Sequence, residues 1–347
     1  MKSALLFGSR EILRAFSSAL YLALIVFGGC RDNGSPVATL QSGGPTVSQP
    51  FWKNVGLAGE DVTTVAASRD SIVIASINGG PGTRSLLYKS SDNGVTWSEL
   101  PFRENCLMTM VGGNHSLYTV TSNLYATDLN RSTDNGATWQ RVSIPRTNIV
   151  AICFDSAGAT YLGDGGGDHS PGGVLRSTDG GQTWLYGDSI SRIPIVSIAA
   201  SERRVFAATR RGIYRTDDGR RWRLINAGMT YASGSSLVAT AGGELFLGTY
   251  SSGLMKSTDE GETWQPSPVN GSVQAVASSP SNTLIAVHAV INGRDRISVS
   301  TNSGQVWISD TTGLPARLSW PALAVTANGY VFVGSDSGVY RSVNPLR

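Results

Sequence analysis

The stretch "RSTDGGQTW", residues 176–184, gathers hydroxyls, an aspartate, two glycines and a tryptophan into nine residues, the composition of an active-site loop. It is not unique. "KSSDNGVTW" ends at Trp97, "RSTDNGATW" at Trp139, "YRTDDGRRW" at Trp222, "KSTDEGETW" at Trp264 and "VSTNSGQVW" at Trp307. With Trp184, the six tryptophans follow one another at intervals of 42, 45, 38, 42 and 43 residues. A period near 40 residues is that of a four-stranded propeller blade, and a repeated motif is read as architecture before it is read as chemistry. "GVYRSVN" at 338–344 matches the start of a seventh copy, and "FWKN" at 51–54 matches what should follow it. The N-terminal strand is therefore expected to complete the last blade and to close the ring without an open edge.

The rest of the composition agrees. Forty-one glycines and short apolar runs such as "SIVIAS", "VFAATR" and "YVFVGS" indicate many short strands joined by turns, with no sustained helical period. The expected fold is all-β: a seven-bladed β-propeller of four-stranded antiparallel blades over residues 51–347. In the fourth unit "IVSIAAS" reads as the inner strand, "RRVFAATR" as the second, "GIYRT" as the third and "RRWRLI" as the outer. Small residues such as Ala199, Ala200 and Ala239 suit inner strands crowded around an axis. The motif then lies between strands three and four. There the aspartate accepts hydrogen bonds from following N–H groups, a glycine supplies positive φ and the tryptophan opens the outer strand.

The motif resembles the Asp-box, or BNR, repeat S/T-x-D-x-G-x-T-W of sialidases, two-domain xyloglucan hydrolases, sortilin-type receptors and photosystem II assembly factors. The resemblance implies a structural turn on the face opposite the ligand, at Asp92, Asp134, Asp179, Asp217, Asp259 and Asn302. Arg215, Arg221, Asn302 and Val306 depart from the pattern, which a turn tolerates better than a catalytic group does. The repeat serves enzymes and non-enzymes alike, so it implies the fold and not the function.

Residues 1–29 differ in kind. Lys2, Arg10 and Arg14 precede the apolar run "AFSSALYLALIVF", and "GGC" ends at Cys30, the pattern of an export signal. Gly28 and Gly29 before Cys30 resemble a bacterial lipobox, in which Cys30 would be lipidated, although Phe27 stands where leucine is usual. A cleaved signal peptide or an uncleaved anchor are the alternatives. Residues 30–50 read as a flexible tether. The expected location is the bacterial cell envelope, as a membrane-anchored lipoprotein or a periplasmic or extracellular protein.

Losing residues 1–29 removes three basic groups and Glu11, which lowers the formal charge of +3 by two. With no basic run interleaved with aromatics, nucleic-acid binding is not expected. Cys106 and Cys153 fall out of register on successive units and read as buried thiols. His115, His169 and His288 lack ligand spacing, so no metal is expected, and no cofactor motif is present.

The loops from outer to next inner strand, and from second to third strand, should share the face opposite the motif. The first set carries Arg103, Arg146, Arg192 and Arg317; the second adds Arg84, Arg210, Arg211, Arg294 and Arg296. Arginine outnumbers lysine 24 to 4, and its planar fork suits carboxylate, phosphate or sulfate groups. An anion- or partner-binding ring is one reading; pairing with Glu104, Asp164, Asp168, Asp188, Asp295 and Asp310 in the same loops is the other. Trp320 near Arg317 could stack on a ligand or pack between blades. In "GDGGGDHSPGG", residues 163–173, Asp164 and Asp168 could hold calcium, or the loop is simply long.

Arg192-Ile193-Pro194 matches the Arg-Ile-Pro of sialidases, but too few residues follow it for six blades. Glu60, Glu99, Glu104, Glu202 and Glu244 offer no nucleophile and base signature. A glycosidase needs two carboxyl groups roughly 5–10 Å apart, and Asp61, Glu104 or Asp188 could meet across the mouth. The photosystem II assembly factors are the closer outline: one exported propeller with an arginine-rich surface and no catalysis. The expectation is a monomeric, non-catalytic scaffold for a protein partner or a glycan or anionic ligand, reaching the membrane only through its lipid. A sialidase-like or β-glucan-active glycoside hydrolase is the alternative.

Overall fold

A computed structural model describes residues 51–346 apart from 69–71, 79–83, 113–115, 123–126, 146, 168–169, 226–233, 241, 280–281, 290–294, 316–317 and 319–320. The expected signal, Cys30 and the expected tether lie outside the described residues. So do Arg146, Arg317, Trp320, Asp168 and Arg294.

The described residues form seven separate four-stranded antiparallel sheets. Six are sequential, over residues 62–99, 106–142, 149–186, 195–224, 234–266 and 272–309, and are numbered blades 1 to 6 in that order. Blade 7 combines Ala322–Val325, Val331–Ser335 and Gly338–Ser342 with Trp52–Gly56 from the other end of the chain. Trp52 pairs with Ser342 and Asn54 with Tyr340, so the ring closes as the divided seventh motif predicts. The Trp52 ring is fully buried and its indole N–H donates to the Asp310 carbonyl at 2.7 Å.

Alternation within each blade is overridden by burial on both faces. Val205–Thr209, a second strand, is buried at every position, as is the inner strand Ile149–Phe154. A strand covered on both sides by neighbouring blades reads as a continuous apolar run. The core is therefore not one mass but a series of inter-blade layers, the largest running from Ala199 and Phe206 through Phe246 to Leu284 across blades 4, 5 and 6. Cys106 and Cys153 are buried free thiols within such layers. Burial pushes the Cys106 thiol up to about 12, which makes it an inert packing group.

Each motif forms the turn between strands three and four. In blade 3 the Ser177 hydroxyl donates to Asp179 Oδ1 at 2.8 Å and accepts the Gly181 N–H at 2.8 Å. The same carboxylate accepts the Thr183 N–H at 2.9 Å and, through Oδ2, the Thr183 hydroxyl. Gly181 holds φ 95°, a region closed to most side chains. Its missing Cβ also lets the turn lie on the preceding blade, because a Cβ there would come within 2.9 Å of Val142. Asn302 in blade 6 keeps the Oδ1 bonds, to the Ser300 hydroxyl and the Val306 N–H. The second bond, from a threonine hydroxyl, is not made because Val306 stands where blades 1, 2, 3 and 5 have threonine, so the two departures belong together.

Blade 4 corrects the expected alignment. Thr216, not Arg215, takes the serine's place, and Asp218, not Asp217, is the turn carboxylate: its Oδ1 accepts the N–H groups of Arg220 and Arg221, both at 2.8 Å. Thr216 Oγ1 accepts the Gly219 N–H three residues on, where the other turns close four residues on. The turn is one residue shorter. Asp217 points outward and pairs with Arg204.

The tryptophans cross to the preceding blade. Trp97 donates to Val55 O at 2.9 Å, and a Cβ on Gly56 would meet its ring at 2.5 Å. Trp222 lies the same way against Gly187. Glycine at the end of a preceding outer strand thus admits the ring.

Candidate functional site on the loop face

Strand direction places the aspartate turns at one end of every blade and the second-to-third hairpins at the other. The inner strands begin at this second end, and six of the seven carry an irregularity in register there, as between Ile195 and Ser197. A bulge at a sheet end bends the strand and re-aims its side chains.

Among the described residues, blade 4 places two adjacent arginines at this end. Arg210 and Arg211 form the tip between Val205–Thr209 and Gly212–Thr216. Thr209 holds the tip: its hydroxyl accepts the Arg211 N–H at 3.0 Å and donates to Gly212 O at 2.8 Å. Thr249 does the same in blade 5 with Ser252 and Gly253. There the tip carries Tyr250, which is 49% exposed. Burial of the rest of its ring raises the Tyr250 phenol, and the Arg210 charge opposes that rise.

Arg192 joins them. It lies just before Ile195, which pairs with Thr209, the residue next to Arg210. Its φ of 66° is a conformation arginine rarely adopts, and its N–H donates to Gly172 O at 3.0 Å. Non-glycine residues in this region are kept there by their surroundings. The surroundings are organised by Asp164, which is fully buried. Its carboxylate accepts the N–H groups of Asn148, Gly166 and Gly172 at 3.0–3.2 Å, the Ser170 hydroxyl and the Tyr186 phenol. The loop after strand two of blade 3 is thereby tied to the neighbouring loops through the hydrogen-bond donors around this carboxylate. Among the described residues no cluster of His, Cys, Asp and Glu could hold a metal ion.

Among the described residues, no carboxylate pairs with Arg192, Arg210 or Arg211. Arg103 is different. It forms an ion pair with Glu99, and its guanidinium also donates to Leu100 O and Phe102 O, so it is engaged in its own loop. Glu99 in turn faces Tyr88 across strands three and four, where burial and the Glu99 and Glu60 charges raise the phenol. This tyrosine and glutamate pair was not legible as a motif, and it sits on the outer strands, not at the mouth. Other loop carboxylates are similarly committed: Asp295 to Gln274 and the Leu318 N–H, Asp310 to Thr312, Asp61 to Asn78. The structure thus brings Arg192, Arg210 and Arg211 together and separates Arg103 from them. Tyr250 was missed; its signal is the alignment of "TYSSG" with "TRRG", which puts it at the neighbouring hairpin tip.

No protein-family profile and no curated protein matches the chain. Solved structures do. YCF48 bound to D1 peptide is 14% identical with a TM-score of 0.61, covering 86% of this chain and 99% of its own. The GH74 xyloglucanase from Xanthomonas campestris is 18% identical with a TM-score of 0.60, covering 85% of this chain and 54% of its own. Virginiamycin B lyase from Staphylococcus aureus is 12% identical with a TM-score of 0.64, covering 85% and 98%. At these identities the likeness establishes the seven-bladed propeller, a fold shared by a peptide-binding protein, a glycosidase and a lyase.

Proposed function

We propose that this chain is a non-catalytic propeller of the Asp-box type whose loop face holds an anionic segment of a protein partner. The observation that carries this reading is the group Arg192, Arg210 and Arg211, three exposed arginines at one end of blade 4 without a carboxylate partner among the described residues. Unpaired guanidinium groups are preorganised for bidentate carboxylate binding, and Tyr250 beside them adds a rigid half-apolar surface. A closed ring that holds its loops before binding lowers the ordering cost of association. The binding of a peptide by YCF48 is consistent with this use of the fold. Export and lipidation at Cys30 would place that face in the cell envelope on a tether.

The test is fluorescence anisotropy with a labelled Glu-rich decapeptide. Saturable binding that weakens with salt, and falls at least tenfold in the Arg192→Ala, Arg210→Ala, Arg211→Ala triple variant, is the expected result. Unchanged affinity in the triple variant overturns it. Turnover of a sialoside or a β-glucan, abolished by substituting Glu104, would establish the glycosidase instead.

A further inference from the structure

The shortened turn of blade 4 leaves a cleft on the opposite face. In five places a cation one residue before the turn's first hydroxyl reaches across to the next turn and donates to a backbone carbonyl: Arg341 to Asn93, Lys89 to Asn135, Arg131 to Gly180, Arg215 to Glu260 and Lys256 to Ser303. Each acceptor holds positive φ. Arg176 stands at this position in blade 3, but the turn it faces lacks that residue. Its Nε donates to the Tyr161 hydroxyl at 2.9 Å and its guanidinium stacks 5.7 Å from the Tyr161 ring centre. Among the described residues its two terminal nitrogens have no acceptor.

Equivalent clefts occur between blades 5 and 6 and between blades 3 and 4. The first is about 110 Å³, and Lys256 in it is tied to Ser303 O at 2.7 Å and to Glu244 at 2.8 Å. The second is about 200 Å³ and is lined by Arg176, Thr178, Leu185, Tyr186, Asp188 and Arg220 among others. A break in a repeat that both enlarges a cleft and frees a guanidinium within it is where a repeat protein departs from pure architecture.

We propose that this cleft binds a small monocarboxylate bearing an amino or hydroxyl group. Arg176 would take the carboxylate through its free fork. With Asp188 set against Arg176 and Arg220 the cleft keeps one net positive charge, which suits a singly rather than a multiply charged anion; Asp188 accepts a hydrogen bond from the ammonium or hydroxyl, while Leu185 and Tyr186 give an apolar wall. The volume is that of about seven waters at roughly 30 Å³ each, which suits a ligand of about six or seven heavy atoms. The site is independent of the loop-face reading, and neither depends on the other.

The test is calorimetric titration of the purified full chain with L-alanine, L-lactate and sodium sulfate. L-Alanine or L-lactate should bind saturably with one site, and sulfate at least tenfold more weakly. Arg176→Gln should weaken binding at least tenfold. Insertion of one asparagine after Asp218, which restores the spacing of the other turns and returns a carbonyl to Arg176, should abolish it with the melting temperature kept or raised. Loop-face variants should leave it unchanged. Absence of saturable binding, sulfate binding as tight as L-lactate, or full binding in both the Arg176→Gln and the insertion variants overturns the proposal.

Discussion

Lys256 Nζ donates to the Ser303 carbonyl at 2.7 Å, across the boundary between blades 5 and 6. The lysine belongs to one motif and the serine to the next, so the basic residue before the turn is, at every such position but Arg176, a tie between repeats and not a solvated flank. Blade 6 confirms the rule by exception. Val299 replaces the cation there, and the blade it would face ends in Ser342-Val343-Asn344 without an aspartate turn.

Arg215 is a buried tie, with its guanidinium donating to Glu260 O at 2.9 Å and facing Glu262 at 3.1 Å. Arg215→Met removes a charged hydrogen bond that is shielded from water and should cost about 2 kcal/mol. Urea denaturation measures this, with Arg223→Met as comparison: Arg223 also pairs with Glu262 but is half exposed, and its loss should cost under about 0.5 kcal/mol.

The serine of the turn matters more than the aspartate's second oxygen. Ser257→Ala leaves the buried Gly261 N–H without its acceptor, which should cost about 1–3 kcal/mol in the same measurement. Asp259→Asn combined with Thr263→Val reproduces the pair found in blade 6 and should cost less than the serine substitution.

Hydrogen bonds from the turn threonines hold the Asp92 and Asp134 carboxyls down at about 2, against 3.8 for a free side chain, and lower those of Asp179 and Asp259 in the same way. A carboxyl whose pKa is depressed on folding contributes stability above its unfolded pKa and loses it as pH falls through the folded value. The urea midpoint should therefore drop between about pH 4 and pH 2. Asp92→Asn should flatten that drop, and an unchanged profile would show that the turns do not carry it.

Asp164 should behave unlike the turn aspartates. Its carboxylate satisfies donors from residues 148, 166, 170, 172 and 186 in a fully buried position. Asp164→Ala strands several of them and should cost about 3 kcal/mol or more. Hydrogen exchange should rise at residues 163–173 and at Arg192, with little change in blade 5.

The fold was legible because the motif repeats in phase and because its divided seventh copy falls at both ends of the chain. What misled was local spacing. Counting back from Trp222 puts Asp217 on the motif, and only the Thr216 hydroxyl, closing on Gly219, reveals the missing residue. The candidate site was legible as a residue type, since arginines in loops stand out, but not as a place. Arg103 and Arg192 look alike in sequence; a carboxylate four residues earlier occupies one, and a left-handed backbone held by Gly172 presents the other.

Closure is the remaining long-range dependence. Among the described residues, only the pairing of Trp52–Gly56 with Gly338–Ser342 joins the two ends of the chain within one sheet, and Trp52 anchors it with a buried ring and bonds to Asp310 O and Thr312 O at 2.7 and 3.0 Å. Trp52→Ala removes a large fully buried side chain and should cost about 3–5 kcal/mol. The loss should not spread evenly. Blade 7 has its outer strand from one terminus and its other three from the opposite terminus, so hydrogen exchange should accelerate first over residues 322–342 and 52–56. Blades 2 to 4, whose strands are all consecutive, should keep their protection. Uniform loss around the ring would show instead that the seven blades open as one unit.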